Sequence, residues 1–136
     1  MAIDAEQFGG LAGFRYALRR FVAASESINR DAGITQQQYQ AMLAIKTWPG
    51  ETMSMKELAE QLLLTHHATV QLIDRLAKAG LAERRPSVQD RRSVSLGLTA
   101  EGAALLDDLA SKHLEEMFRQ EPLLTASLRR LKKMAP

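Results

Sequence analysis

The sequence predicts a mainly α-helical fold carrying one small β-hairpin. Apolar residues recur at helical spacing through most of the chain, and the period changes to two over residues 93–98. Capping and turn residues divide residues 54–99 into helix, tight turn, helix, strand, basic loop and strand. Hydrophobic residues make up 46% of the chain and aromatics only 5%, so the core is built mainly from Leu, Ala, Ile, Val and Met, which favours helices. At 136 residues the chain suits one domain better than two independent cores. We expect a central lobe over 35–99, flanked by helices in 1–33 and 100–136.

Phe8, Leu11, Phe14, Leu18, Phe21, Val22, Ser25 and Ile28 mark one stripe of a first amphipathic helix, with Arg15, Arg19, Arg20 and Glu26 mostly off it. Three of the four phenylalanines fall in this helix, and such an apolar load must be covered by intrachain core or by a subunit interface. Gly33 interrupts it. Thr35 with Gln38 forms a capping box for a second helix through Tyr39, Met42, Leu43 and Ala44 to Trp48, which Pro49-Gly50 ends.

Ser54 and Glu57 form a further capping box, and Met55, Leu58, Ala59 and Leu62 give that helix one apolar stripe. After a turn at Leu63-Leu64, the Thr65 hydroxyl caps a helix over His66–Ala79 with Thr69, Leu72, Ile73 and Leu76 inward. Gly80 stands where a left-handed terminus is wanted. The opposite face carries His66, His67, Val70, Gln71, Asp74 and Lys78, polar without being a run of like charge.

Two short strands follow, over 81–85 and over 93–98, where Val94, Leu96 and Leu98 are expected to face inward. Between them lies Pro86-Ser87-Val88-Gln89-Asp90-Arg91-Arg92, a basic hairpin tip. From Arg75 to Arg92 six basic residues stand against Glu83 and Asp90, although the whole chain carries only +2. Positive charge is thus concentrated where a phosphate-binding surface would need it. Thr99 caps the next helix, with Glu101 in its first turn and Ala103, Leu106, Leu109, Ala110, His113, Leu114 and Met117 along it. Pro122 is expected to break this pattern, leaving a final helix over 123–134 with Leu124, Leu128 and Leu131 inward.

The stretch Asp90-Arg91-Arg92, then Val94, Leu96, Leu98-Thr99 and Gly102, resembles the Asp-x-Arg wing and the Leu-Thr-x-x-Gly of the MarR (multiple antibiotic resistance regulator) family of transcriptional regulators. Ile73-Asp74-Arg75-Leu76, Gly80-Leu81 and Glu83-Arg84-Arg85 are similar to the end of that family's recognition helix and its first wing strand. His66-His67 departs from the commoner small or Pro-Ser start of that helix, and Thr69 stands where an apolar residue is usual. The resemblance implies a winged helix-turn-helix core between N- and C-terminal dimerisation helices. It also implies a homodimer on an inverted-repeat operator, commonly as a repressor released by a small aromatic or phenolic effector. Such an effector would bind between the dimer helices and the DNA lobe, where Arg15, Tyr39, Met42, Trp48 and His113 are candidate pocket residues, although core packing explains the apolar ones equally well. In related winged-helix proteins a short strand lies near residues 52–53.

On that reading the helix from His66 enters the major groove, and half-sites lie about 10 base pairs apart. Thr65 and the first-turn amides hold phosphate. His66, His67, Val70 and Gln71 touch bases: Gln pairs with adenine and Val meets a thymine methyl. Arg92 enters the minor groove with Asp90 orienting it; the alternative is that the two merely staple the hairpin. Arg84, Arg85 and Arg91 meet phosphates or solvent, and Arg75, beside the inward Leu76, is a candidate structural residue. A protein-docking winged helix, or a ligand carrier or enzyme using the dimer cleft, are the rival readings.

Several classes are disfavoured. No stretch has the length of a membrane span, and the N-terminus has no basic-then-apolar leader pattern, so a cytoplasmic location is expected. Cysteine is absent, which excludes disulfides, thiolate zinc sites and cysteine-based oxidant sensing. Adjacent helical residues point about 100° apart, so His66 and His67 do not share one ion easily, and no metal or other cofactor is expected. There is no glycine-rich phosphate loop or activated-nucleophile pattern, so an enzyme is not expected.

Overall fold

Capping residues set most of the helix boundaries. The computed structural model describes residues 2–87 and 93–136. Helix α1 (Ala5–Asp31) opens on a box between Asp4 and Gln7, which the sequence signals as Asp-x-x-Gln. Helix α2 (Gln36–Thr47) opens on the expected Thr35–Gln38 box and α3 (Met55–Leu62) on Ser54–Glu57. Thr65 caps α4 (His66–Lys78) by accepting from the Ala68 amide, and Thr99 caps α5 (Ala100–Lys133) by accepting from that of Gly102. A single 3-10 turn, Pro49–Glu51, follows α2.

The turn between α3 and α4 places Leu63 in the left-handed region at φ 56°, with its side chain 91% exposed. Its amide and that of Leu64 return to the Glu60 and Ala59 carbonyls, so two otherwise orphaned acceptors of α3 are satisfied at the expense of backbone strain. Gly80, at φ 75°, ends α4 as expected.

Strands β1 (Ala82–Pro86) and β2 (Val94–Leu98) pair antiparallel with Ala82 opposite Leu98 and Arg84 opposite Leu96. Leu96 also donates from its amide to the Met53 carbonyl at 2.8 Å, so the segment near residues 52–53 contributes one rung beside β2 and not a strand of its own. The expected inward set is corrected at Val94, which is exposed, whereas Ser95, Leu96 and Gly97 are buried. Val94 pairs with Pro86 at the outer end of the ladder, away from the strand residues that reach the core.

The core joins Met42, Ile45, Met53, Leu58, Ile73, Leu76, Leu96, Leu106 and Leu109, so α2, α3, α4, β2 and the start of α5 share one apolar centre. Thr69 is fully buried within α4, its hydroxyl donating to the Thr65 carbonyl at 2.8 Å. Helices α1 and α5 run antiparallel: a Cβ at Gly10 would stand 3.1 Å from Leu131 and Met134, while Ser25 and Asn29 at the other end meet His113. Only part of the predicted α1 stripe turns inward. Phe14, Leu18, Phe21 and Ile28 are half-buried, whereas Phe8 (61%), Leu11 and Val22 stay exposed.

Helix α5 corrects two expectations: Pro122 lies inside a continuous helix and does not end it, and Leu128, expected to face inward, is exposed. Proline removes one intrahelical hydrogen bond and crowds the carbonyl four residues back. Both sides of it remain helical because residues on each side are held by other elements: Leu106 and Leu109 by the core, Arg130 and Leu131 by α1.

The joint between the hairpin and α5 explains the Leu98-Thr99-x-x-Gly102 pattern. Thr99 donates its hydroxyl to the Gly80 carbonyl at 2.6 Å, and its amide donates to Leu81 O at 3.2 Å. A Cβ at Gly102 would overlap the Leu81 carbonyl, a backbone atom that cannot swing aside. Gly102→Ala is therefore expected to lower unfolding stability by at least about 2 kcal/mol, near the upper range for overpacking, in chemical denaturation. An unchanged midpoint would show that the joint is loose.

Candidate nucleic-acid interface

Helix α4 divides cleanly into two faces. Thr69, Leu72, Ile73 and Leu76 are buried, and His66, His67, Gln71, Asp74 and Lys78 are exposed, with Val70 half-buried at the margin. Four of the five candidate contacts on this element, Thr65, His66, His67 and Gln71, are thus exposed at the start of one helix. Thr65 Oγ1 is occupied by the Ala68 amide at 3.1 Å, so any anion there would be met by the backbone amides of the first turn, which a helix leaves without carbonyl partners.

The hairpin's cations have different fates. Arg84 Nη2 donates to Asp74 Oδ1 at 2.6 Å, tying β1 to the exposed face of α4. A pair this exposed adds little stability, but it places a guanidinium one turn beyond Gln71. Arg85 turns to the other side of the hairpin, where Nε donates to Glu83 Oε1 and Nη2 to Leu98 O, both at 2.7 Å. It is engaged within the fold. Asp90, Arg91 and Arg92 lie outside the described residues. Arg75 is exposed on α4.

The candidate pocket residues do not gather around one opening. Tyr39 of α2 and His113 of α5 stack, ring centroids 4.0 Å apart at 15°. Met42 is fully buried, Trp48 packs half-buried against the core, and Arg15 is exposed on α1. Around His113 lies a polar cluster. His113 Nε2 donates to Asn29 Oδ1 at 2.9 Å, Asn29 Nδ2 to Gln36 Oε1 at 2.6 Å, and Gln36 Nε2 to Ser25 Oγ at 2.9 Å. The Ser25 hydroxyl lies 3.3 Å from His113 Nδ1, so the ring closes on a neutral imidazole that donates from one nitrogen and accepts at the other.

The family model described as MarR family matches residues 32–93, from the end of α1 through α4 and into the hairpin. Over that central segment the chain is similar to MarR-family regulators. Over 72 residues it is 39% identical to the organic hydroperoxide resistance transcriptional regulator of Bacillus subtilis (strain 168), covering 53% of this chain and 48% of that one. The match thus spans about half the length of that curated relative. Among solved structures, AbsC from Streptomyces coelicolor superposes with a TM-score of 0.82 at 20% identity, covering 98% of this chain and 92% of AbsC. A mutant of MepR from S. aureus, bound to an oligodeoxyribonucleotide, does so with a TM-score of 0.66 at 19% identity, covering 89% and 94%. These likenesses establish the winged-helix fold. No helix among the described residues is long and apolar enough to cross a membrane.

Sequence reasoning missed the Ser25–Asn29–Gln36–His113 cluster. The available signal was a serine on an otherwise apolar stripe of α1. Among the described residues no buried side-chain nitrogen or oxygen lacks a partner, so the cluster joins α1, α2 and α5 without an orphaned group.

Burial holds the His113 imidazole below its ordinary pKa, because the charged form is penalised by desolvation. The unfolded chain therefore takes up a proton first as pH falls. Stability contributed by neutral His113 is complete above about pH 6.5 and is lost between that value and the lower folded one. Thermal melts of the protein should show a falling midpoint across this window, flattened in His113→Gln. A His113→Gln variant with the same slope as the parent would locate the titration elsewhere.

Proposed function

We propose that this protein is a MarR-family, sequence-specific DNA-binding transcriptional regulator that acts as a homodimer on an inverted-repeat operator. The single observation that carries the reading is α4, whose buried apolar face fixes it to the lobe while its first two turns present His66, His67 and Gln71 to solvent. Gln71 suits adenine, Val70 a thymine methyl, and the first-turn amides a phosphate. Asp90, Arg91 and Arg92 would follow the backbone and the neighbouring minor groove, and Arg84 is held against the α4 face by its pair with Asp74. A MepR mutant that shares the fold is bound to an oligodeoxyribonucleotide, which supports a DNA-binding role.

Two features support the homodimer. Helices α1 and α5 leave Phe8, Leu11, Val22, Leu114, Met117 and Phe118 (71%) exposed, an apolar load unusual for free helices. Helix α5 is also electrically divided, with six acidic against two basic residues up to Glu121 and four basic with no acidic residue after it. A two-fold axis that pairs α5 antiparallel with its copy would set unlike halves against each other. Residues 1–33 and 100–136 would then be dimerisation segments around the 35–99 lobe. Repression relieved by a small aromatic or phenolic effector is the regulatory form we assign. Its binding site would lie between lobe and dimer helices, near the Tyr39–His113 stack. It would act by favouring a spacing of the two α4 helices that does not fit the operator.

Selection of bound duplexes from a random pool tests the proposal directly. An enriched palindrome with half-sites about 10 base pairs apart is expected. Against that duplex, Gln71→Ala and Arg92→Ala should each weaken binding by about 1 to 3 kcal/mol with the dimer intact in sedimentation. Weak, sequence-blind and salt-insensitive affinity would favour the rival, a winged helix that docks protein.

A further inference from the structure

The hairpin carries a contact that the α4 surface does not account for. In its register Glu83 stands opposite Gly97 and Arg85 opposite Ser95. Side chains alternate along a strand, so these four residues share one face, and Ala82, Arg84, Leu96 and Leu98 share the other. Arg85 lies diagonally across that first face. Its guanidinium reaches the Leu98 carbonyl and the Glu83 carboxylate, each at 2.7 Å, which are charge-assisted bonds from two of its nitrogens.

Gly97 is what makes room for it. A Cβ on residue 97 would overlap Cζ and Nη1 of Arg85 and fall 2.7 Å from Nε. Gly97 is not among the glycines with positive φ, so backbone conformation does not require a glycine there. Glycine inside a strand costs roughly 0.5 to 1 kcal/mol relative to alanine, and the close approach of another group is a standard reason for one. Here the group is the guanidinium, which fills the space of the missing side chain. It also walls a cleft of about 140 Å³ with Ile45 and Lys46 of α2, Glu51 and Ala103.

The acceptor's position gives this contact its meaning. Leu98 ends β2 and precedes Thr99, the residue that fastens the hairpin to Gly80 and to α5. We propose that Arg85, admitted by Gly97, is a positioning residue that sets the angle of the hairpin to α4, and not a phosphate contact. This rests on the reading that the hairpin and α4 bind DNA together. It replaces the expectation that Arg85 meets phosphates or solvent, because both of its bonds are made within the fold.

The test uses the full chain with Gly97→Ala, Arg85→Ala, Arg85→Lys and the double variant Arg85→Ala/Gly97→Ala. In the free protein, the Arg85 Nε–H resonance should be protected from solvent exchange and lose that protection in Gly97→Ala. Against the duplex selected by the parent, Gly97→Ala and Arg85→Ala should each lose affinity roughly tenfold, the scale of one charge-assisted bond. Arg85→Lys, which cannot reach both acceptors, should restore little. The slope of affinity against salt should stay as in the parent, whereas loss of a phosphate contact would lower it by about one. The preference for A·T over G·C at the outer flanks should shrink, since only hairpin placement reads groove width there. In the Arg85→Ala background, Gly97→Ala should be nearly silent.

A slope lowered by one, or a Gly97→Ala that keeps both the protected resonance and the affinity, overturns the proposal. If the parent shows no preference among duplexes, the DNA-binding reading fails. The clamp is then judged by the resonance and by hairpin amide shifts, which must move in Gly97→Ala but not between Arg85→Ala and the double variant.

Discussion

Thr99 is the residue on which the arrangement of the lobe turns. Its hydroxyl donates to Gly80 O and accepts from the Gly102 amide, so one oxygen joins the end of α4 to the start of α5. Its own amide holds Leu81 O, and Gly102 lets that carbonyl lie against the helix. The hairpin is therefore mounted at its base on a helix N-terminus and the preceding turn. The Arg85 bond to Leu98 O falls one residue away, so the two contacts act on the same short stretch of backbone. Whatever direction the hairpin takes from the lobe is set here.

The second junction is polar where the first is steric. Helices α1, α2 and α5 meet around His113, with Tyr39 stacked on its face and Asn29, Gln36 and Ser25 around its edge. Polar groups in an apolar setting constrain geometry more narrowly than aliphatic packing does, because each partner lost leaves a desolvated group behind. The flanking helices are thus held to the lobe in one definite register. Residues named as pocket candidates from the sequence alone, Tyr39 and His113, turn out to be parts of that junction.

What was legible in the sequence was what is decided locally. The Ser54–Glu57 and Thr35–Gln38 boxes, the caps at Thr65 and Thr99, the turn at Gly80 and the two faces of α4 all depend on residues within a turn or two, and they stand as read. What was illegible depends on distant partners. Pro122 argues locally for a break and loses to packing on both sides of it. Val94 fits the alternation but lies at the outer end of the ladder. Leu63 gives no hint of a left-handed backbone, since glycine or asparagine usually signals one. Arg84 and Arg85 are neighbours of identical type, yet strand alternation sends one to Asp74 and the other across Gly97, and only the register reveals which.

Pro122 also has a mechanical consequence. With no amide of its own to give, it leaves the Phe118 carbonyl without its usual rung, and its ring pushes that carbonyl outward. The 34-residue rod is therefore expected to flex most readily near this point. The rod's lower segment is riveted to the lobe and its upper segment to the glycines of α1, so small changes in the distance between the two ends are absorbed at a single weak vertebra, sparing the capped turn at Thr99.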